Sequence, residues 1–408
     1  MMNSIAERLE AFNKDLIPDK LQIKYKYMSQ NAFSFLRGTC HLFYEDLSKV
    51  KDFPTSPNTW ICGDLHLENF GSFKGNNRMV YFDLNDFDEA MLGPAAWEVA
   101  RMLTSIFVGF NSFKIDPAEA QKNADLFLST YTKILAGGKA YSIDPRTAAG
   151  IVKSFLKNIK KRKETDLIKK VADEKGGQFK IKIDNRTHFD LDKKLKAELI
   201  SHLTEWIKSK KGWSANYVVN DAAFRVAGTG SVGLKRYMFL LQSTKSKKKY
   251  LLVDMKEAVQ SSLTPYNLVK QPVWSSNAER VLSIKQRMQN IPPALLGPSS
   301  FKGDIYVLQE MQPLADKMNF ASIATKDDCL EMIIKDMAIL TASAQIRSGG
   351  MQNSAIIDTL MAFGKQKDWQ QPLLNYAINY AKQVAKDYNE FMADYKDIVA
   401  TVEHSETN

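Results

Sequence analysis

The sequence predicts an α+β protein built from three consecutive segments. Apolar residues recur with helical periodicity over most of residues 1–211. Short strand patterns separated by glycine-containing turns fill residues 212–315, and helical periodicity returns over 316–408. At 408 residues, with 44% hydrophobic and 25% charged side chains, the chain has the composition of an ordinary globular protein of two or three domains.

The elements follow in order. Residues 5–46 read as helices broken at Pro18 and Gly38. Trp60-Ile-Cys62 reads as a short strand, and Met79–Phe82 as a second strand after a turn at Gly75. Ala95–Phe110 is a strongly amphipathic helix; helices follow to about Leu135, over Arg146–Lys163 and over Leu191–Ser209. Glu174–Phe189 is polar and reads as a loop or small hairpin. Phe224–Ala227, Arg236–Leu241, Tyr250–Met255 and Ile305–Gln309 read as strands, with a helix at Ser276–Gln289 and an edge strand continuing to Pro313. Cys329–Ile346 and a long segment from Gln371 to Val402 are helical.

Composition narrows the function classes. The net charge is +10, concentrated in Lys153–Lys170 and Lys245–Lys249. Aromatic residues do not interleave with those lysines and no recognition motif accompanies them, which argues against a nucleic-acid partner. No apolar stretch approaches the roughly 20 residues that span a bilayer. The N-terminus reads as an amphipathic helix, without a signal peptide's apolar region, so a cytoplasmic location is expected. Three widely spaced cysteines, Cys40, Cys62 and Cys329, imply neither a disulfide framework nor a zinc cage.

The chemistry concentrates in Gly63-Asp-Leu-His-Leu-Glu-Asn69 and in Tyr81-Phe-Asp-Leu-Asn-Asp-Phe-Asp-Glu89. Asp64 can accept a hydroxyl proton from a nucleophile. Asn69, five residues on, is a candidate ligand for Mg²⁺, a cation that takes oxygen donors. His66 is a catalytic candidate too, although such a histidine more often holds its loop by a hydrogen bond. The second run offers Asp83, Asp86 and Asp88, one of which is expected to bind the metal, with Asp83 and Asp86 the leading alternatives. Gly228-Thr229-Gly230-Ser231-Val232-Gly233 lies between two predicted strands, the arrangement of the flap that covers nucleotide phosphates in protein kinases. Lys256, at the end of the following strand, is then placed to hold phosphates. Glu279 is the one carboxylate on the next helix and hence the candidate partner of Lys256. Backbone groups near Glu310 and Met311 are placed for an adenine. Arg37 is a further phosphate candidate.

Together, Gly63-Asp-Leu-His-x-x-Asn69, Asp86-Phe-Asp-Glu89 and Gly93-Pro-Ala-Ala-Trp-Glu-Val-Ala100 resemble the catalytic core of aminoglycoside phosphotransferases and other kinase-like small-molecule kinases. Most of the chain also resembles the bacterial family called domain of unknown function 2252. That likeness rests on Phe35-Leu-Arg-Gly38, the Asp83–Glu89 run, Arg280-Val-Leu282 and Gln286-Arg-Met-Gln289. The resemblance implies a two-lobed kinase-like fold, with residues 1–211 and 316–408 forming a helical lobe and 212–315 a nucleotide lobe. It implies an ATP- and Mg²⁺-dependent transfer to a hydroxyl of a small molecule or protein. Transfer of AMP, or a non-catalytic nucleotide sensor, are the alternatives. By position, Asp64 looks like the base, Asn69 a metal ligand and Asp86 the metal-binding aspartate. Spacing from Asn69 favours Asp83 instead, so both stay candidates. Cys62 stands where the phosphotransferases usually carry histidine. Kinase-like chains place the glycine flap and lysine before the catalytic loop, whereas here they follow it, which implies a circular permutation.

Overall fold

The computed structural model describes residues 4–161, 164–210, 212–311, 318, 320–323 and 327–396. Four helices open the chain: α1 (Ile5–Asn13), α2 (Pro18–Met28), α3 (Ala32–Gly38) and α4 (Cys40–Leu47). Three of their starts have a local cause. Ser4 and Glu7 form a capping box on α1, Pro18 occupies the first turn of α2, and Asn31 caps α3 through the Ser34 N–H.

Strand β1 (Asn58–Ile61) runs into the Gly63 loop, and one 3₁₀ turn at Leu67–Asn69 leads to the hairpin β2 (Phe70–Lys74) and β3 (Val80–Leu84). Strand β4 (Met91–Pro94) returns antiparallel to β1, pairing Ile61 with Met91. Helices α5 (Ala95–Ser112) and α6 (Pro117–Gly137) follow. On α5, Val99, Leu103, Ile106 and Phe110 are completely buried at helical spacing. Each contributes about 1.5–3 kcal/mol by leaving water. This helix anchors the lower lobe and packs on the long C-terminal helix.

The middle of the chain contains α7 (Gly150–Lys161), α8 (Glu164–Val171), β5 (Ala172–Lys175), β6 (Gln178–Ile181), β7 (His188–Phe189), α9 (Lys193–Lys208), β8 (Tyr217–Arg225), β9 (Arg236–Ser243), β10 (Tyr250–Glu257), α10 (Asn277–Met288), β11 (Gly297–Phe301) and β12 (Asp304–Met311). Six of the strands form one antiparallel sheet in the order β11-β12-β10-β9-β8-β7. Its two faces are set by the two-residue side-chain period of a strand. Phe239, Leu241, Val253 and Met255 pack with Leu199, Leu203 and Ile207 of α9. Met238, Leu240 and Leu252 face the other way, with Ile168, Phe179 and Ile181. The residues packed on this sheet thus begin well ahead of the expected lobe boundary at 212.

The remaining helices are α11 (Phe320–Ile323), α12 (Asp327–Arg347), α13 (Ile357–Lys365) and α14 (Gln370–Asp394). They rejoin the first segment in one large core, with α12 packed on α6 and α14 on α5. The turn after α12 lies against β1: Trp60 Nε1 donates to Met351 O at 3.1 Å, and Ala355 N to Asn58 O at 2.8 Å. The Ile5 N–H of α1 donates to Glu390 of α14 at 2.9 Å.

Two expectations change. Ile305–Gln309 is not an edge strand: β12 lies between β10 and β11, whose turn at Lys302 and Gly303 the strand pattern alone did not reveal. The third strand ends at Leu84, so Asp86 sits in the following turn. The expected continuations at Arg162–Lys163, Gln312–Pro313 and beyond Lys396 lie outside the described residues.

Candidate active site

A cleft of about 850 Å³ separates the sheet from the helical lobe. Asp64, His66, Asn69, Asp86, Arg37, the 228–233 turn, Lys256, Glu310 and Met311 all line it. Asp83 and Glu279 do not.

The loop carrying Asp64 is fixed from below. Gly63 has φ of +84°, and a Cβ there would stand 2.3 Å from Glu89 O, so no other residue fits. Tyr44 OH donates to Gly63 O. Glu98, fully buried on α5, accepts the Cys62 N–H at 2.6 Å and the amide of Gln345 at 3.0 Å. It therefore anchors the loop from the helix side. Burial pushes its carboxyl pKa upward.

Arg101 of α5 holds Asp64. Its Nε and Nη2 reach Asp64 Oδ1 at 3.0 and 2.7 Å, and Nη2 also donates to Leu36 O at 2.7 Å. Burial lowers the guanidinium pKa, but the charge and hydrogen bonds of Asp64, with smaller help from Cys40 and Tyr44, together bring the net shift upward. Asp64 Oδ2 lies 3.8 Å from His66 Nε2. His66 Nδ1 accepts the Glu68 N–H at 3.1 Å, which fixes the tautomer with the proton on Nε2. The histidine caps the 3₁₀ turn, the loop-holding role.

Asn69 acts as a staple between two segments. Its Oδ1 accepts the N–H of Asp86 at 2.7 Å and of Asn85 at 3.3 Å. Its Nδ2 donates to the carbonyls of Asp64 at 3.0 Å and Asp86 at 3.2 Å. Both ends of the amide are engaged by backbone, so the structure gives Asn69 a positioning role in place of the expected metal-ligand role.

Asp83 and Asp86 differ in burial. Asp83 is 3% exposed, faces away from the cleft, and accepts the Leu84 N–H. Burial raises its pKa to about 6, against the attraction of Arg347 and two backbone N–H groups. Asp86 opens onto the cleft with its side chain 56% exposed, and its Oδ2 stands 3.5 Å from Lys256 Nζ. Asp88, the third aspartate of the acidic run, makes the closer contact with the same ammonium. Burial opposes ionisation of Asp86, but Lys256, the Asp88 N–H, Arg236 and Lys285 together bring its pKa down. Asp88 is raised by burial and by the Asp86 charge. Burial lowers the Lys256 pKa, yet the two carboxylates bring the net shift upward.

On the sheet, Arg225, Arg236, Asp254 and Lys256 share the cleft-facing side with Ala223, Met238 and Leu252, as strand alternation requires. Arg236 binds Asp254 in a fork, Nε to Oδ1 at 2.8 Å and Nη2 to Oδ2 at 2.7 Å. Arg225 Nη1 reaches the same Oδ1 at 2.8 Å. Burial and the neighbouring Arg236 charge push Arg225 down to about 10. The two arginines flank the glycine turn and share one carboxylate, so the pair keeps a net positive charge. The turn is held from outside: Lys24 Nζ donates to Gly230 O at 2.9 Å and Ile17 N to Gly233 O at 3.0 Å. Burial pushes Lys24 down to about 8.

Glu279 is corrected. It sits in the first turn of α10, where its N–H binds Ser276 Oγ at 3.1 Å and its carboxylate accepts the Ser275 N–H. The helix instead presents Lys285 to the cleft, with Nζ 2.8 Å from Gln309 Oε1 and 3.2 Å from Asn85 O. Burial pushes Lys285 down to about 8. The acid beside Lys256 therefore comes from the Asp86–Asp88 turn. Glu310 is also reassigned in part: its N–H binds Ala294 O at 2.7 Å and its carboxylate pairs with Arg78. Arg37 pairs with Glu68 at 2.8 Å.

Arg101, Asp254, Arg225, Arg236, Lys24 and Lys285 were missed by sequence reasoning. Two gave a signal. Arg101 interrupts the apolar run Val99-Ala100-Arg101-Met102-Leu103, and Asp254 interrupts a strand and shares the Lys256 face. A charge in such a setting is buried only when paired.

Among the described residues no group of three or more His, Cys, Asp or Glu side chains could cage a metal, and no helix is long and apolar enough to cross a membrane. The family model described as an uncharacterized protein conserved in bacteria (DUF2252) matches residues 16–394. No curated protein and no solved structure matches the chain. The chain belongs to the DUF2252 family.

Proposed function

We propose that this DUF2252 member is an ATP- and Mg²⁺-dependent phosphotransferase with a circularly permuted kinase-like arrangement. The observation that carries the reading is the meeting of Lys256 with Asp86, 170 residues apart, in one cleft with Asp64 and the glycine turn. The resemblance requires that meeting, and local sequence cannot produce it. The glycine turn joins two adjacent strands and Lys256 lies on the next, matching the kinase order of glycine-rich loop and third-strand lysine. The contact of the turn after α12 with β1 supports the permuted connection.

The residues fit Mg²⁺. Magnesium is bound through one or two carboxylates plus substrate phosphates, so a full protein cage is not needed. Asp86 and Asp88 already share one cation, the Lys256 ammonium. These two aspartates would hold the metal, which when bound supplies charge neutralisation at the phosphate oxygens. Lys256, Arg225 and Arg236 would take the nucleotide's phosphates beneath the glycine turn. Arg101 holds Asp64 Oδ1 and orients Oδ2 toward the acceptor hydroxyl. In the transfer step the acceptor proton passes to Asp64 Oδ2 and the acceptor oxygen bonds to the γ-phosphorus. The bond from that phosphorus to the bridging oxygen breaks, and ADP leaves with its electron pair.

Thermal shift with Mg-ATP tests the binding half. A ligand at about 100 times its Kd adds about 2.7 kcal/mol of stability. For 408 residues the unfolding entropy is roughly 0.9 kcal/mol/K, so Tm should rise by about 3 °C. No shift at millimolar Mg-ATP sinks the reading. Asp64→Ala should keep the shift and lose transfer, measured as ADP release with an acceptor library. Intact mass of the product separates phosphoryl from AMP transfer.

A further inference from the structure

The Gln286-Arg-Met-Gln289 segment takes no part in the cleft. It lines a second cavity, of about 330 Å³, on the opposite side of α10. Ser283, Gln286, Arg287, Gln289 and Asn290 of that helix and its C-terminal end face Arg347 and Met351 across it.

The cationic wall is built. The Arg287 guanidinium stacks 4.7 Å from the Trp60 ring and 5.4 Å from Trp274. No ion pair to Arg287 occurs among the described residues, and its Nη1 is shielded from solvent with no hydrogen-bond partner. Arg347 donates to two backbone carbonyls, Met288 O and Tyr141 O, which orient it, and the buried Asp83 carboxylate attracts it from behind. Gln289 is 1% exposed. Its Nε2 donates to Leu84 O at 2.6 Å, while its Oε1 has no partner. A shielded donor and a shielded acceptor, each unpaired, cost stability until something meets them. The amides of Gln286 and Asn290 stand exposed at the rim.

We propose that this cavity is a binding site for a small phosphate monoester, separate from the cleft. A phosphate offers oxygens to the arginine forks and, as its monoanion, a P–OH donor for a carbonyl such as Gln289 Oε1. A carboxylate offers only acceptors. The volume sits at the low end of ligand pockets and admits an ester with a short organic part. The site adjoins the catalytic segment through α10. Gln289 holds Leu84 O, Lys285 holds Asn85 O, and Arg280 donates to the carbonyls of Asp88 and Ala90. A ligand here therefore rests on the helix that positions Asp86 and Asp88.

Tryptophan fluorescence reads the site, because Trp60 and Trp274 pack against Arg287, which lines it. The full chain is titrated with inorganic phosphate and with glycerol 3-phosphate. The expected result is a saturable change with both probes, tighter for the ester. Arg287→Gln should weaken the ester at least tenfold, as a lost charge-assisted hydrogen bond implies. Gln286→Leu, on the exposed rim, should weaken it several-fold in a fold that is left intact. Lys256→Met should keep the response, since its phosphate contact lies in the cleft. Absence of a saturable response, or a response undiminished in both Arg287→Gln and Gln286→Leu, overturns the proposal. Loss of the response in Lys256→Met also overturns it by placing the probe in the cleft. Mg-ATP stabilisation of Arg287→Gln, measured alongside, separates failure of this site from failure of the cleft reading.

Discussion

Replacing Asp83 by asparagine should stabilise the protein, and the gain should depend on pH in a defined direction. Asp83 is 3% exposed, and burial holds its carboxyl pKa at about 6 against an ordinary value of 3.8. Between those two values the folded chain holds a proton that the unfolded chain has released. Stability therefore falls as pH rises from about 4 to about 6, and the full penalty persists above that. A shift of about two units corresponds to about 3 kcal/mol. Asparagine keeps the oxygen that accepts the Leu84 N–H and carries no charge to bury. With an unfolding entropy of roughly 0.9 kcal/mol/K, Tm should rise by about 3 °C at pH 7.5. The gain should disappear near pH 4, where the folded wild type is protonated and the unfolded chain about half so. Differential scanning calorimetry at pH 4, 5.5 and 7.5 measures it, with Mg-ATP added in a parallel series. The variant should retain the Mg-ATP shift. Destabilisation at pH 7.5, or loss of that shift, would refute the reasoning and return Asp83 to the metal site.

Other perturbations probe the remaining assignments. Lys256→Met leaves Asp86 and Asp88 facing each other without a cation. Both are partly exposed, so the loss should be about 1–2 kcal/mol, smaller than for a fully buried pair. Millimolar Mg²⁺ alone should restore this variant's Tm more than it raises that of wild type; equal responses would argue against metal at this pair. Glu279→Ala should lower Tm slightly through loss of the helix cap and leave the Mg-ATP shift unchanged. A lost shift would reinstate Glu279 as the partner of Lys256.

The Asp64–Arg101 pair shows why part of this site was hidden. Asp64 was legible because its loop carries a compact motif. Arg101 lies 37 residues away on α5, and only packing turns its side chain onto Asp64 Oδ1. Glu279 was misjudged because elimination considered carboxylates on one helix, whereas the acid beside Lys256 comes from the other lobe. Asn69 had the right spacing for a metal ligand, but its amide is engaged by four backbone groups that the spacing does not show.

The sequence by itself placed most of the helices and the central strands of the large sheet. Caps, prolines and two- or three-to-four-residue apolar periods act over a few residues and need no tertiary partner. It also raised the expectation, through the resemblance, that Asp64, the glycine turn and Lys256 would meet, and they line one cleft. Tertiary structure decided which charges meet. It turned Asp83 inward and Asp86 outward where the strand ends at Leu84. It put Lys256 between two aspartates and placed a pair of arginines around Asp254 beneath the glycine turn. Such pairings depend on distances across a fold, which the linear order of residues does not encode. The Gly63–Asn69 loop announces itself in the sequence, but its partners exist only in the folded chain.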